Sequence, residues 1–158
     1  MQLYIKEKVF TWADKFFVKD AMGEDKYTVE GELLSFGKKL HVYDRWGTEV
    51  AFIKQELMTF MPRFTVYVDG IEIAQVRKEF TFFRPRFVID GLGWEIEGSV
   101  WEHRYEIRKN GRLIVAIDKE WMTWGDSYCL DILDPADEIL ALAVVLTIDC
   151  VVESSQNN

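Results

Sequence analysis

The densest group of basic side chains in the sequence lies within one short stretch. Its members are Arg77, Lys78, Arg84 and Arg86. Guanidinium groups bind phosphate oxygens through paired hydrogen bonds, and the phenylalanines between these residues offer contacts for acyl chains or bases. Alternation along a strand, however, places Arg77 and Lys78 on opposite faces and Arg84 and Arg86 on one outward face. The stretch therefore fits either a site for anionic lipid or phosphorylated ligand, or an ordinary solvated strand.

Acid/base and metal chemistry have weaker candidates. Glu56, Glu79 and Glu120 occupy equivalent positions of an internal repeat, which places them on different hairpins and favours structural ion pairs over a shared site. His41 and His103 lie outside the spacings of metal sites and catalytic triads, and they are interpreted as packing or surface residues. The sequence also lacks a Gly-x-Ser-x-Gly elbow and a dinucleotide loop. We therefore predict a non-enzymatic protein with no catalytic residue, no metal and no cofactor.

Three copies of one template organise the chain, beginning at Gly47, Gly70 and Gly111. Each glycine follows a strand-like run and precedes another, which is typical of a β-hairpin. Thirteen residues after each glycine an aromatic residue recurs: Phe60, Phe83 and Trp124. The repeat predicts a series of antiparallel hairpins.

A single apolar segment follows the last hairpin. Asp134 is a suitable N-cap and Pro135 fits the first helical position, so we predict a helix over residues 135–152. Residues 139–152 give roughly 21 Å of helix, whereas a bilayer core needs roughly 30 Å. A helix that is apolar on every side and too short to span a membrane must be surrounded by the β structure.

Asp149 is the unusual residue of this helix, because a carboxylate near the end of an apolar segment needs water or a partner. Two placements remain open. At the mouth of a barrel Asp149 reaches solvent, and this is the preferred interpretation. If it is buried, a lysine, an arginine or a tyrosine hydroxyl from the wall should contact it.

The fold class that follows is mainly β, a closed antiparallel barrel of about twelve strands with the C-terminal helix through its centre. Closure removes the sheet edges, and the apolar helix fills the wide interior. The alternative is a sandwich with the helix packed outside, which an apolar helix fits poorly. We expect one domain over residues 1–153, a disordered tail over 154–158, and the six tryptophans in core packing.

Charge and composition limit the classes of function. The last 46 residues hold 9 acidic and 1 basic side chains, and the whole chain has a net charge of −8. This argues against nucleic-acid binding. The charged start of the chain does not resemble a signal peptide, and the two cysteines match neither a disulfide framework nor a metal site, so we expect a cytoplasmic location.

The sequence resembles the bacterial branch of the LURP-one-related proteins, within the tubby C-terminal-like superfamily. The resemblance covers residues 1–153 and rests on the hairpin phrases at 40–44 and 66–70, the Lys-Glu pairs at 78–79 and 119–120, and the terminal helix. It implies a twelve-stranded antiparallel barrel threaded by a hydrophobic helix. Tubby-like relatives bind phosphoinositide headgroups through basic residues on the outer wall, but no residue here matches that site one by one. The features usual in phospholipid scramblases, an acylation segment among them, are also missing.

We therefore expect a binding or scaffold domain. One hypothesis is peripheral binding of anionic phospholipid or a phosphorylated ligand through the four basic residues. The alternative is a protein-interaction or regulatory module, which the acidic last third favours. A small-molecule enzyme is the third hypothesis, and it requires a deep polar pocket with a titratable group of shifted pKa.

Overall fold

The computed structural model describes residues 1–7, 15–32 and 36–156, and within them it contains twelve β-strands followed by one helix. The strands are β1 (Gln2–Lys6), β2 (Lys15–Asp20), β3 (Asp25–Gly31), β4 (Lys39–Asp44), β5 (Glu49–Gln55), β6 (Arg63–Val68), β7 (Ile71–Phe80), β8 (Pro85–Asp90), β9 (Trp94–Ser99), β10 (Arg104–Lys109), β11 (Arg112–Met122) and β12 (Gly125–Ile132). A 3-10 turn (Pro135–Asp137) leads into helix α1 (Glu138–Gln156). The predicted mainly β architecture with a C-terminal helix is confirmed.

All twelve strands form one antiparallel sheet in the order β8-β7-β6-β5-β4-β3-β2-β1-β12-β11-β10-β9. The sheet is a nearly closed barrel. Closure was expected to be complete, but among the described residues β8 and β9 share no backbone ladder. The ring of Phe87 on β8 packs edge-on against Trp101, just after β9, with a centroid distance of 5.6 Å, so a side-chain contact bridges this gap.

The sheet alternates between core and solvent as the hairpin pattern predicts. On β3, Tyr27 and Val29 are buried while their neighbours are partly exposed, and Leu40 and Val42 do the same on β4. The turn after β4 contains Gly47 with a φ of 81°, a left-handed conformation that costs glycine little.

Helix α1 is surrounded by protein, because every residue from 141 to 151 is buried. Asp134 caps the 3-10 turn that leads into the helix, because its side chain accepts a hydrogen bond from the Ala136 backbone amide at 2.9 Å. The Thr147 hydroxyl donates to the Ala143 carbonyl at 2.6 Å, so this polar side chain is satisfied within the core. The helix extends to Gln156 and buries Ser154, which corrects the tail that was expected to be disordered from residue 154. Residues 157–158 lie outside the described residues.

The two ends of the barrel differ. Because the strands form a meander, the connections β3–β4, β5–β6, β7–β8, β9–β10 and β11–β12 all lie at one end, which we call the loop end. Helix α1 starts at the opposite end, the turn end, and finishes at the loop end, where the Lys38 ammonium lies 3.5 Å from the Ser154 hydroxyl.

Candidate binding surface at the loop end

Three neighbouring segments of the loop end form one continuous surface, which we call the docking face: residues 36–39, 54–63 and 77–86. The backbone amide of Gln55 donates to the Lys38 carbonyl at 2.8 Å, which joins the first segment to the second. The Lys78 amide donates to the Pro62 carbonyl at 3.0 Å, which joins the second to the third. Backbone hydrogen bonds therefore hold these connections in a defined arrangement.

The docking face exposes large apolar side chains. They are Phe36, Leu57, Met58, Phe60, Phe80, Phe82 and Phe83. Leu57 is 43% exposed and the other six are between 77% and 104% exposed. Isolated apolar residues are ordinary on protein surfaces, but a contiguous patch of this kind marks an interaction site or a membrane contact.

The same face is strongly basic. Its three segments contain eight basic residues and two acidic ones. Five of the basic side chains form no ion pair with any of the described residues: Lys54, Arg63, Lys78, Arg84 and Arg86. The docking face therefore combines uncompensated positive charge with exposed aromatic rings, although the chain as a whole is acidic.

The four basic residues singled out from the sequence divide into two kinds. Arg77 lies on the outer wall, where its Nε donates to Asp90 at 2.7 Å and its guanidinium lies 3.9 Å from Glu79. These contacts neutralise Arg77. Lys78 opposes the buried Phe87 and so belongs to the inner face of β7, at the rim of the barrel. The structure therefore confirms that Arg77 and Lys78 face opposite sides of the strand.

Arg84 and Arg86 are both exposed at the tip of the β7–β8 hairpin. Arg84 sits in the connection, where its carbonyl accepts a hydrogen bond from the Thr81 hydroxyl. Arg86 opposes Glu79 on the outer wall. Of the predicted group, Lys78, Arg84 and Arg86 are available to an anionic ligand, while Arg77 is already paired.

A second cluster of chemical interest surrounds Asp149 at the end of the barrel interior. Asp149 is 8% exposed and accepts hydrogen bonds from the Tyr128 hydroxyl and from Nε2 of His103, the latter at 3.0 Å. Nδ1 of His103 lies 3.2 Å from Glu7. The His103 ring also stacks on Tyr128 with a centroid distance of 3.9 Å and an interplanar angle of 5°. The placement of Asp149 in solvent at the mouth is thus corrected, because it is buried against a tyrosine and a histidine.

The protonation of His103 follows from these contacts. Burial lowers the pKa of His103, but the hydrogen bonds and charges of Asp149 and Glu7 outweigh burial and raise the pKa above its ordinary value of 6.5. Both ring nitrogens face carboxylates, and only the imidazolium can donate to both. His103 is therefore an ionic link between Glu7 and helix α1, rather than the filler that its sequence context indicated.

The Asp149 cluster lies beside a cavity of about 180 Å³ that is lined by Trp101, His103, Tyr128 and the last turns of the helix. Burial and the Asp149 charge raise the pKa of Tyr105 well above its ordinary value, and the hydroxyl of this buried residue has no hydrogen-bond partner among the described residues. The polar groups of Asp149, His103 and Tyr128 are engaged with one another. Their geometry favours a latch between the helix and the barrel wall.

Two further titratable groups, His41 and Glu56, form hydrogen bonds on the barrel wall. His41 bridges Glu32 and Glu49 at 2.6 Å each; burial lowers its pKa, but the two carboxylates outweigh burial and raise it. Glu56, at the end of β5, accepts a hydrogen bond from the Thr65 hydroxyl at 2.6 Å. Within the described ranges, no group of three or more histidine, cysteine or acidic residues is placed to hold a metal ion.

A model of the family described as LURP-one-related matches residues 1–149 of the chain. The chain belongs to this family. The LURP-one-related chain is 32% identical over 157 residues to "Uncharacterized protein YxjI" of Bacillus subtilis (strain 168), a match that spans 99% of this chain and 97% of its relative. A crystal structure of an Arabidopsis thaliana protein has the same fold, with a TM-score of 0.65 and 14% identity, over 94% of this chain and 90% of the plant chain.

Within the part of this LURP-one-related protein that the structure describes, no helix is both long and apolar enough to cross a bilayer. Helix α1 is instead the core of the barrel.

The exposed aromatic residues are the feature that the sequence interpretation missed. Trp46, Trp121 and Trp101 are 81%, 77% and 42% exposed, so core packing of the tryptophans is wrong for these three, whereas Trp94 is buried as expected. Trp12 lies outside the described residues. The internal repeat could have predicted part of this exposure. Phe60 and Phe83 occupy its equivalent aromatic position, and both are exposed at hairpin tips.

Proposed function

We propose that this protein is a non-enzymatic module that binds peripherally to anionic membrane surfaces through the docking face. The observation that carries the proposal is the coincidence of uncompensated basic side chains and exposed aromatic side chains on one contiguous end of the barrel. Either feature alone is common on protein surfaces. Stable membrane attachment needs two contributions, an apolar one and an electrostatic one, and the docking face offers both.

The electrostatic contribution is sizeable. Each lysine or arginine close to an anionic leaflet contributes about 1 kcal/mol, so the five unpaired basic side chains supply about 5 kcal/mol. Phe82 and Phe83 project from the β7–β8 hairpin, and their rings are 5.3 Å apart. Rings in this position would enter the interfacial region while Arg84, beside them in sequence, stays at the level of the phosphates.

The net charge of −8 is compatible with this orientation, because the docking face holds only 2 of the 27 acidic residues. The last third of the chain holds 9 of the 27 acidic residues and only 1 of the 19 basic ones, and none of it belongs to the docking face. The barrel is thus polarised, and an anionic surface attracts one side and repels the other. The cytoplasmic leaflet, which is rich in anionic lipid, is the surface that fits this polarity.

Vesicle co-sedimentation tests the proposal. The protein is mixed with phosphatidylcholine vesicles, with phosphatidylcholine vesicles containing phosphatidylserine, and with vesicles that also contain a phosphoinositide, at low and at physiological salt. We expect binding that requires anionic lipid and weakens with salt, because screening acts on exposed charges. The double variant Arg84→Gln/Arg86→Gln should bind roughly 30-fold more weakly, from about 1 kcal/mol for each charge.

Two further variants separate the contributions. Phe82→Ser/Phe83→Ser keeps the charge and should still weaken binding by about tenfold or more, because the apolar contact is lost. Arg45→Gln/Arg112→Gln removes two positive charges from the turn end and should leave binding nearly unchanged. An absence of binding to anionic vesicles at low salt would refute the membrane proposal and leave the protein-interaction alternative.

A further inference from the structure

The loop end carries a second surface that membrane binding leaves unassigned. We call it the acidic rim. It consists of Trp101 and Glu102 in the β9–β10 connection, Glu120 and Trp121 at the end of β11, and Asp126 at the start of β12. The three carboxylates are exposed, and none of them forms an ion pair within the described ranges. Trp101 and Trp121 are 42% and 77% exposed. The rim thus pairs apolar rings with negative charge, as the docking face pairs them with positive charge.

The two surfaces share one end of the barrel but lie on opposite sides of the sheet order. The docking face is formed by connections and strand ends between β3 and β8, and the acidic rim by connections and strand ends between β9 and β12. A surface with positive charge on one side and negative charge on the other complements itself after a rotation of 180°. A second copy of the same chain therefore offers a matching partner to both halves at once.

We propose that two copies of this chain associate through their loop ends in a two-fold symmetric dimer. The docking face of each copy lies against the acidic rim of the other. Arg84 and Arg86 of one copy then face Glu120 and Asp126 of its partner, and the aromatic side chains of both copies leave water together.

The available apolar area fits such an interface. Among the described residues of the loop end, six aromatic side chains are at least 77% exposed: Phe36, Phe60, Phe80, Phe82, Phe83 and Trp121. At about 150 Å² for each ring, they offer roughly 900 Å² per copy, against about 800 Å² per partner in a standard stable interface.

The dimer has a consequence for membrane binding. Because it covers the docking face, dimer and membrane compete for the same aromatic side chains. Dimerisation therefore lowers membrane binding as the protein concentration rises. The dimer itself does not depend on the proposed function, because it forms in solution without lipid.

Sedimentation equilibrium of the full chain tests the dimer, from about 1 to 100 μM at low and high salt. We expect twice the chain mass at the higher concentrations and dissociation as salt screens the charged contacts. The variants Arg84→Glu/Arg86→Glu and Glu120→Lys/Asp126→Lys each place like charges together and should raise the dissociation constant at least about 100-fold. The matched control Arg45→Glu/Arg112→Glu, at the turn end, should remain dimeric.

The most discriminating experiment mixes the two charge-reversed variants, Arg84→Glu/Arg86→Glu and Glu120→Lys/Asp126→Lys. Each variant should be monomeric alone, but a heterodimer of the two has opposite charges at both contacts, so mixing should restore dimers. This result would also show that both variants are folded. A monomeric wild type at about 100 μM in low salt, or a wild-type affinity retained by Arg84→Glu/Arg86→Glu, overturns the dimer. Vesicle binding by a monomeric wild type would leave the proposed function standing, and a dimer without vesicle binding would refute the function alone.

Discussion

Replacing Asp149 with asparagine removes the charge of the buried cluster while keeping its shape. Asp149 accepts hydrogen bonds from His103 and Tyr128, and a hydrogen bond to a charged group contributes about 1 kcal/mol more than a neutral one. Two such bonds give an expected loss of about 2 kcal/mol in the free energy of unfolding for Asp149→Asn at pH 6. This is a large part of the stability of a typical domain, about 5–15 kcal/mol.

The loss should depend on pH in one direction. The folded pKa of His103 is raised above its ordinary value of 6.5, so protonation favours the folded state. Its contribution is fully present below the unfolded pKa and disappears as pH rises through the folded pKa. Above that pKa His103 no longer carries a positive charge that attracts the Asp149 carboxylate, and the difference between wild type and Asp149→Asn should fall from about 2 to about 1 kcal/mol.

Urea unfolding followed by tryptophan fluorescence, at a series of pH values from 6 upward, measures this difference. His41 also has a raised pKa, but it is present in both proteins and its effect cancels in the comparison. His103→Gln should remove the same pH dependence, whereas His41→Gln should leave the cost of Asp149→Asn and its pH dependence intact. A cost of Asp149→Asn that is below about 0.5 kcal/mol, or that does not change with pH, would refute the ionic latch.

Three further predictions concern the barrel. Gly98→Ala should destabilise the protein by more than about 2 kcal/mol, because a Cβ there would lie 2.6 Å from the backbone of the neighbouring strand at a φ of 113°. Gly111→Ala has open space around it and should cost only about 1 kcal/mol. Equal losses of stability for the two variants in urea titrations would contradict this prediction. Burial raises the pKa of Cys129 to about 11 and that of Cys150 well above its ordinary value. The native protein should therefore resist iodoacetamide and react only when it is unfolded. Rapid labelling of the native protein, measured by mass spectrometry, would show that the two thiols are not buried. Deletion of residues 135–152 should unfold the chain, because the helix is the core, and a truncated protein with native near-ultraviolet circular dichroism would disprove it.

Much of the architecture follows from local sequence patterns. The repeat beginning at Gly47, Gly70 and Gly111 places three turns correctly, because left-handed glycines and alternating side chains act over a few residues. The Asp134 cap and the burial of the helix were equally predictable, since an apolar helix without a polar face has no stable position in water. The first turn is 3-10, however, and the α-helix begins at Glu138 rather than at Pro135.

The docking face was predictable only in part. The basic residues near the β7–β8 hairpin stood out by their spacing, but the sequence does not show that Asp90 neutralises Arg77 while Arg84 and Arg86 remain unpaired. Nor does it show that the aromatic tips of two hairpins lie side by side at the same end of the barrel. That arrangement depends on the register between neighbouring strands, which joins Pro62 to Lys78 by a backbone hydrogen bond.

By itself, the sequence determined the hairpins, the buried helix and the acidic last third of the chain, because these depend on interactions within short segments. Only the tertiary structure decided which distant side chains share an environment. His103 lies 46 residues from Asp149 and 96 from Glu7, and the barrel brings them together where the helix ends. Such contacts form only when the sheet closes around the helix, so they cannot be predicted from the periodicity or the composition of the sequence.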